Sequence, residues 1–229
     1  FNLFAIDKWR KYTNIDNLFL HIECEGFDRL FIMNKRQTLV EYKLKPETGI
    51  YDIEFPYRNT DYKLVFWFSL HENTTDNSKL IKAYFYTKTE KSLLNNIEIV
   101  ADICTFKREE YLYRNICQLK RKIIDNTELD VSTHFSIFVV DNGKTLSNHA
   151  KIQALLSTSE ERIKIFENKN AGGAGGFTRG MIEAINSNDK FSHIVLMDDD
   201  AINEPDSIVR LYALLSTLKK EWTGVAVGG

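Results

Sequence analysis

The chain has 229 residues, 43% of them apolar and 27% charged, which suffices for the core of one large or two small soluble domains. A net charge of −2 at pH 7 gives no global positive field, which excludes nucleic acid or an anionic membrane as a partner recruited by charge alone. The longest apolar runs, such as Leu64 to Phe68, are strand-sized, and nothing has the make-up of a signal peptide or a spanning helix.

Residues 1–95 read as β-structure. Tyr51, Ile53 and Phe55 alternate with Asp52 and Glu54, and Ile81, Ala83 and Phe85 alternate with Lys82 and Tyr84. Leu18–Cys24, Arg29–Met33, Thr38–Leu44 and Leu64–Leu70 are further strand candidates, separated by polar turns such as residues 73–77. No stretch there shows a helical period, so the expectation is an all-β sandwich or jelly-roll. Eighteen of the 28 aromatic residues precede residue 96. Sheet packing accounts for most of them. Trp9, Trp67 and Tyr84 are the candidates for stacking against sugar rings in a carbohydrate-binding module.

From residue 96 the rhythm changes. Ile97–Phe106 predicts a strand, and Glu109–Asn126 a helix with Leu112, Ile116, Leu119 and Ile123 on one face. Strands follow at Phe135–Val140, Ile163–Phe166 and Ile194–Met197, with a short helix at Asn148–Ser157 between the first two. A helix carrying Phe177, Met181 and Ile185 follows the glycine cluster. Pro205 opens another, whose buried face is Ile208, Leu211, Leu215 and Leu218, and Val225–Val227 starts a fifth strand. Alternating strands and helices imply an α/β domain with a mostly parallel sheet over 96–229, its ligand beyond the carboxyl ends of the strands.

Three features at those ends carry chemistry. Asp198, Asp199 and Asp200 follow an apolar strand directly. Two carboxylates about 5 Å apart repel by roughly 3 kcal/mol at an effective dielectric of about 20, so the run calls for a divalent cation, and oxygen ligation suits Mg²⁺ or Mn²⁺. Side-chain alternation lets Asp198 and Asp200 converge on it while Asp199 points elsewhere. The competing reading is a solvated turn with one aspartate capping the next helix. Five of the eleven glycines, Gly172, Gly173, Gly175, Gly176 and Gly180, form a loop running into a helix, a setting for a bound anion. No Gly-Lys-Ser/Thr follows, and Thr178 stands where a dinucleotide fingerprint needs its last glycine. Thr105-Phe-Lys-Arg108 and Asp141-Asn-Gly143 close the first two strands. A carboxylate there could accept a uracil N–H, although Asp-Asn-Gly is also an ordinary turn signal. The five histidines show no ligand spacing. Cys24, Cys104 and Cys117 form no CxxC pair, which points to a reducing cytoplasm.

The order TFKR, VVDNG, NKNAGGAGGFTRGM, IVLMDDDA resembles an inverting GT-A glycosyltransferase of family 2. The NAGGAGGF segment together with DDD is similar to bacterial galactofuranosyltransferases, which place a β-sandwich before a Rossmann-like GT-A domain. The resemblance implies that Asp198 and Asp200 bind the metal and that Asp199 faces the ribose or donor sugar. It implies that Thr105, Arg108 and Asp141 line a uridine pocket, and that Asn170, Gly172, Gly173, Gly175 and Gly176 pack on the diphosphate or sugar. A UDP-sugar donor, UDP-galactofuranose first, and a glycan or lipid-linked glycan acceptor follow. So does peripheral contact with the cytoplasmic face of the cell membrane, with oligomerisation left open. Both ends read as cut, and the resemblance sets the acidic general base and a further metal-binding histidine beyond Gly229. The alternatives are a family-2 enzyme with another donor, such as dTDP-rhamnose, or an inactive carbohydrate-binding protein.

Overall fold

The structure, a computed structural model, describes residues 3–34, 37–45, 47–55, 65–72, 77–159, 161–202, 204–224 and 226–228. Contacts divide the chain into two compact units, Phe1–Leu94 with Thr217–Gly229, and Asn95–Ser216.

The first unit contains β1 (Phe4–Ala5), α1 (Ile6–Tyr12), β2 (Phe19–Glu25), β3 (Phe27–Asn34), β4 (Gln37–Lys43), β5 (Gly49–Glu54), β6 (Val65–Glu72) and β7 (Lys79–Tyr86). They form two antiparallel sheets, ordered β1-β6-β3-β4 and β5-β2-β7. The period of two sends alternate side chains inward: Leu20, Ile22 and Cys24 of β2, Ile53 of β5, Leu30 and Ile32 of β3, and Phe66 and Phe68 of β6 share one core. Each such side chain contributes about 1.5–3 kcal/mol on burial. The predicted strands lie within two residues of the observed ones, while Leu64 and most of the 73–77 turn fall outside the described residues. Helix α1 corrects the expectation of no helix in this half. At seven residues, with Ile6 its one fully buried side chain, it is too short for a period to show.

The C-terminal stretch belongs to this unit rather than to the α/β half. The Asn14 N–H donates to the Thr217 carbonyl at 2.7 Å, Thr13 pairs with Leu218, and the Lys219 N–H donates to the Tyr12 carbonyl at 2.9 Å. The predicted fifth strand is not seen: Ala226, Val227 and Gly228 are irregular, and Val225 lies outside the described residues.

The second unit comprises β8 (Ile99–Thr105), α2 (Glu109–Leu119), β9 (Phe135–Asp141), α3 (Ala150–Leu156), β10 (Ile163–Glu167), α4 (Gly172–Asn186), β11 (His193–Asp198) and most of α5 (Pro205–Thr217). The four strands form an all-parallel sheet ordered β10-β9-β8-β11. Strand β9 is buried throughout and β8 at all but Cys104, as expected where helices cover both faces. Thr105 pairs with Asp141, Asp141 with Glu167, and Cys104 with Asp198, so the chemically notable strand ends share one edge.

Two helices differ from expectation. The predicted 109–126 helix ends at Leu119, and a wider π-type turn at Lys120–Ile124 keeps Ile123 buried. On α4 the buried stripe is Gly176, Gly180 and Ala184 rather than Phe177, Met181 and Ile185, and Ile185 is 76% exposed. Among the described residues, no helix is long and apolar enough to cross a membrane.

Candidate functional site

Asp198 ends β11, and Asp199 and Asp200 bend away beyond it. The bend divides the three carboxylates: Asp199 is buried, while Asp198 and Asp200 are exposed. The Thr105 hydroxyl donates to Asp199 Oδ2 at 2.6 Å. The buried side-chain amide of Asn115, on α2, donates to the carbonyls of Asp199 at 2.8 Å and Ala201 at 2.7 Å. Losing a partner from such a buried group costs about 1–3 kcal/mol, so the bend is fixed from two sides. The Arg108 guanidinium, half-exposed, pairs with Asp200 Oδ2 and lies 3.8 Å from Asp199 Oδ1.

Asp141 is fully buried and closes its own turn. Its Oδ1 accepts from the Gly143 N–H at 2.9 Å, and its Oδ2 from the N–H groups of Thr145 and Leu146 at 2.8 and 2.9 Å. This is the turn-forming behaviour of aspartate. These bonds hold Asp141 within its own turn. Asn142 is the neighbour that reaches across. Its amide donates to the Gly172 carbonyl at 3.2 Å and contacts Cys104 Sγ at 3.2 Å, while its oxygen accepts from Asn168 at 2.9 Å.

The glycine segment is not a loop before a helix but the first turns of α4. Asn170 Oδ1 accepts from the Gly172 N–H at 3.1 Å, and Gly172 has a positive φ of 71°. A side chain at Gly172 or Gly173 would meet nothing within 4 Å. A Cβ on Gly176, by contrast, would lie 2.0 Å from Cys104 Sγ, and one on Gly180 1.9 Å from Asp102 Oδ1. At Gly175 the nearest atom is the Ala171 Cβ, 2.4 Å away. The glycines thus serve two purposes, an open helix start and close packing of α4 on β8. Asp102, against that packing, is fully buried and neither carboxylate oxygen has a hydrogen-bond partner; burial pushes its pKa up to about 7. Burial, with Asp102 and Asp199 nearby, also pushes the Cys104 thiol upward.

These elements enclose an open cleft of about 340 Å³. Thr105, Arg108, Asn170, Gly172, Gly173 and Asp199 line it, all of them site residues expected from the sequence, together with Cys104, Phe106 and Asn142. Asp141, Gly175, Gly176, Asp198 and Asp200 are not in its lining. Asn115 was legible as an amide inside the apolar stripe Leu112, Ile116, Leu119, since buried polar groups need partners. No local signal marks Asn142 or Phe106. Among the described residues, no three His, Cys, Asp or Glu side chains gather for a metal. Asp198 and Asp200 are both exposed at this strand end. The three cysteines are free thiols.

Galactofuranosyltransferase GlfT2 of Mycolicibacterium smegmatis is 25% identical over 236 aligned residues, covering 100% of this chain and 35% of the relative. GlfT2 of Mycobacterium tuberculosis is 25% identical over 228, covering 93% of this chain and 33% of the relative. The chain therefore spans about a third of the length of these relatives. A solved Bacillus subtilis protein aligns at 9% identity with a TM-score of 0.20, too low to inform the fold. The model of the family described as Glycosyl transferase family 2 matches residues 102–229, more than half of the chain and the whole of the cleft, and the chain belongs to that family.

Proposed function

We propose that this chain is the donor-binding part of a metal-dependent, inverting glycosyltransferase that uses a UDP-sugar to extend a cell-surface glycan. The observation that carries the reading is a single cleft, at the carboxyl ends of parallel strands, lined by both Gly172–Gly173 and Asp199. Asn170 takes the N–H of Gly172, the N-cap residue Ala171 offers no side-chain cap, and a Cβ at Gly172 or Gly173 would meet nothing within 4 Å, so a diphosphate can approach the N–H groups that follow. Phe106, 46% exposed in the cleft, offers a ring face to a base, and Arg108 a guanidinium to phosphate. Asp198 and Asp200 would hold Mn²⁺ or Mg²⁺. When bound, that cation neutralises the charge gathering on the departing nucleoside diphosphate. Thr105 and Asn115 keep the aspartates in place for it. UDP-galactofuranose is the donor favoured by the two galactofuranosyltransferase relatives, and a lipid-linked acceptor would bring the protein to the cytoplasmic membrane face.

Calorimetry with UDP, with and without Mn²⁺, tests the proposal. UDP binds in the presence of Mn²⁺, and Asp200→Ala abolishes the metal-dependent part. UDP binding unaffected by Mn²⁺, or no binding at all, overturns it.

A second role is supported for the first unit, which we read as a β-sandwich. Of the three aromatic candidates, Trp9 stacks on Phe4 against the core and Trp67 is half-buried, but Tyr84 is 44% exposed. Tyr84 stacks on His21 at 4.6 Å, beside the stacked pair Phe19 and Tyr86. Oligosaccharide binding lost in Tyr84→Ala, with UDP binding intact, would establish this face as a carbohydrate platform.

A further inference from the structure

We propose that Asn142 and Asn168 are positioning residues for the donor, a relay of two side-chain amides that sets the Gly172 carbonyl and with it the turn where the diphosphate is placed. This rests on the donor reading above and gives a role to two amides which that reading leaves unused.

Three observations carry it. First, the glycine turn has no side chains with which to hold its place. Gly172 has a φ of 71°, and a Cβ on Gly172 or Gly173 would meet nothing within 4 Å. Such a turn is set by whatever grips its backbone. Both polar backbone groups of Gly172 are gripped by amides. Asn170 Oδ1 accepts from its N–H at 3.1 Å, and Asn142 Nδ2 donates to its carbonyl at 3.2 Å. Asn170 belongs to the same segment, two residues away, so it shapes the turn without anchoring it. Asn142 ties it to the sheet.

Second, both amides stand on backbone that the sheet fixes. The Asn142 N–H donates to the Thr105 carbonyl at the end of β8, and the Asn168 N–H to the Asp141 carbonyl at the end of β9, each at 3.0 Å. The Asn142 side chain is buried beside Gly176, where an added Cβ would lie 3.1 Å from Asn142 Nδ2. Its partners come from three places, Cys104 of β8, Asn168 after β10 and Gly172 of α4.

Third, the sense of the relay is forced. A carbonyl only accepts, so Asn142 must turn its amide N–H groups toward Gly172. Its oxygen then faces Asn168, whose amide donates to it at 2.9 Å. Asn168 is not in the lining of the cleft, so its influence on a ligand runs through Asn142. Alanine at 168 leaves the Asn142 oxygen without this donor and the amide able to turn, and alanine at 142 releases Gly172 itself. Either change shifts the start of α4 against the phosphates while Phe106, where the base is placed, keeps its position at the end of β8.

The test compares UDP, by calorimetry at a fixed Mn²⁺ concentration, with uridine, by ligand-observed nuclear magnetic resonance. The proteins are the parent chain, Asn142→Ala, Asn168→Ala and the double variant. Asn142→Ala should weaken UDP about tenfold and Asn168→Ala about threefold, the range of one hydrogen bond, with uridine unchanged in both. The double variant should bind UDP no more weakly than Asn142→Ala, because the two amides act in series. Equal weakening of UDP and uridine by Asn142→Ala would make that amide a general support of the fold. Parent-like UDP binding by Asn168→Ala, or losses that multiply in the double variant, would break the relay. Each of these outcomes overturns the proposal and leaves the donor reading standing. Should Asn142→Ala fail to fold, the half-buried Asn168 decides alone: UDP weakened with uridine unchanged supports the relay, and any other pattern overturns it. A parent chain that binds no UDP ends the donor reading and the positioning role together.

Discussion

At the acidic bend, side chains of one type divide between holding the structure and meeting solvent. Along α4 the same division is made by side chains that are missing. Asp199 is buried on the Thr105 hydroxyl while Asp198 and Asp200 stay exposed. Gly172 and Gly173 leave open space at the cleft, while Gly176 and Gly180 let the helix settle onto Cys104 and Asp102. A run of like residues therefore need not share one purpose, and what each residue touches decides which it serves.

The sharpest way to break this comparison is to add one methyl group at either end of the glycine segment. Gly180→Ala should cost about 3 kcal/mol in urea unfolding, because its Cβ would overlap the Asp102 carboxylate inside a packed layer. Gly173→Ala should change stability by less than about 1 kcal/mol, in the direction of helix preference, while weakening Mn²⁺-dependent UDP binding. Equal destabilisation by both would end the division of the glycines.

The corresponding contrast at the bend pairs Asn115→Ala with Asp200→Ala. The first leaves two buried carbonyls without their partner and should cost about 2 kcal/mol. The second removes an exposed carboxylate and should stay within about 0.5 kcal/mol, yet abolish metal-dependent UDP binding in calorimetry.

Asp102 sharpens the packing side. Its folded pKa, about 7, lies above the ordinary carboxylate range, so its contribution is most favourable below about pH 4 and is lost as pH rises toward 7. The parent's stability should fall by on the order of 2 kcal/mol more than that of Asp102→Asn across this window. The difference in slope is the readout, since a buried amide there is itself unpaired. The smallest effect belongs to the first unit. Burial of the His21 ring lowers its pKa, but hydrogen bonds with Asp52 and Glu23 outweigh this and the net shift is upward. Its stabilisation is complete below about pH 6.5 and lost as pH rises through the raised value. His21→Gln should remove that pH dependence, a melting difference of about 1 °C.

Much of this was legible in the sequence because it is written in local pattern. Period-two strands, a parallel α/β order and three aspartates at a strand end survive as short-range signals, and Thr105 and Arg108 follow from their place at the end of β8. What escaped depends on contacts far along the chain. The buried face of α4 is made of glycine and alanine, whose small side chains leave little apolar period, whereas Ile185 stands out in the sequence and is exposed. The return of Thr217 and Leu218 to Thr13 and Asn14 has no local trace.

Among the described residues, strand β11 lies at the edge of its sheet and pairs only with β8, and that ladder sets Asp198 opposite Cys104. Because neighbouring side chains alternate along a strand, a slip of one residue in the ladder would turn Asp198 to the other face and carry the bend after it out of reach of the Thr105 hydroxyl. Three identical letters acquire distinct jobs from the frame in which β8 reads them. The division of this corner into one buried and two exposed carboxylates is thus written in a reading frame of backbone hydrogen bonds as much as in the acids themselves.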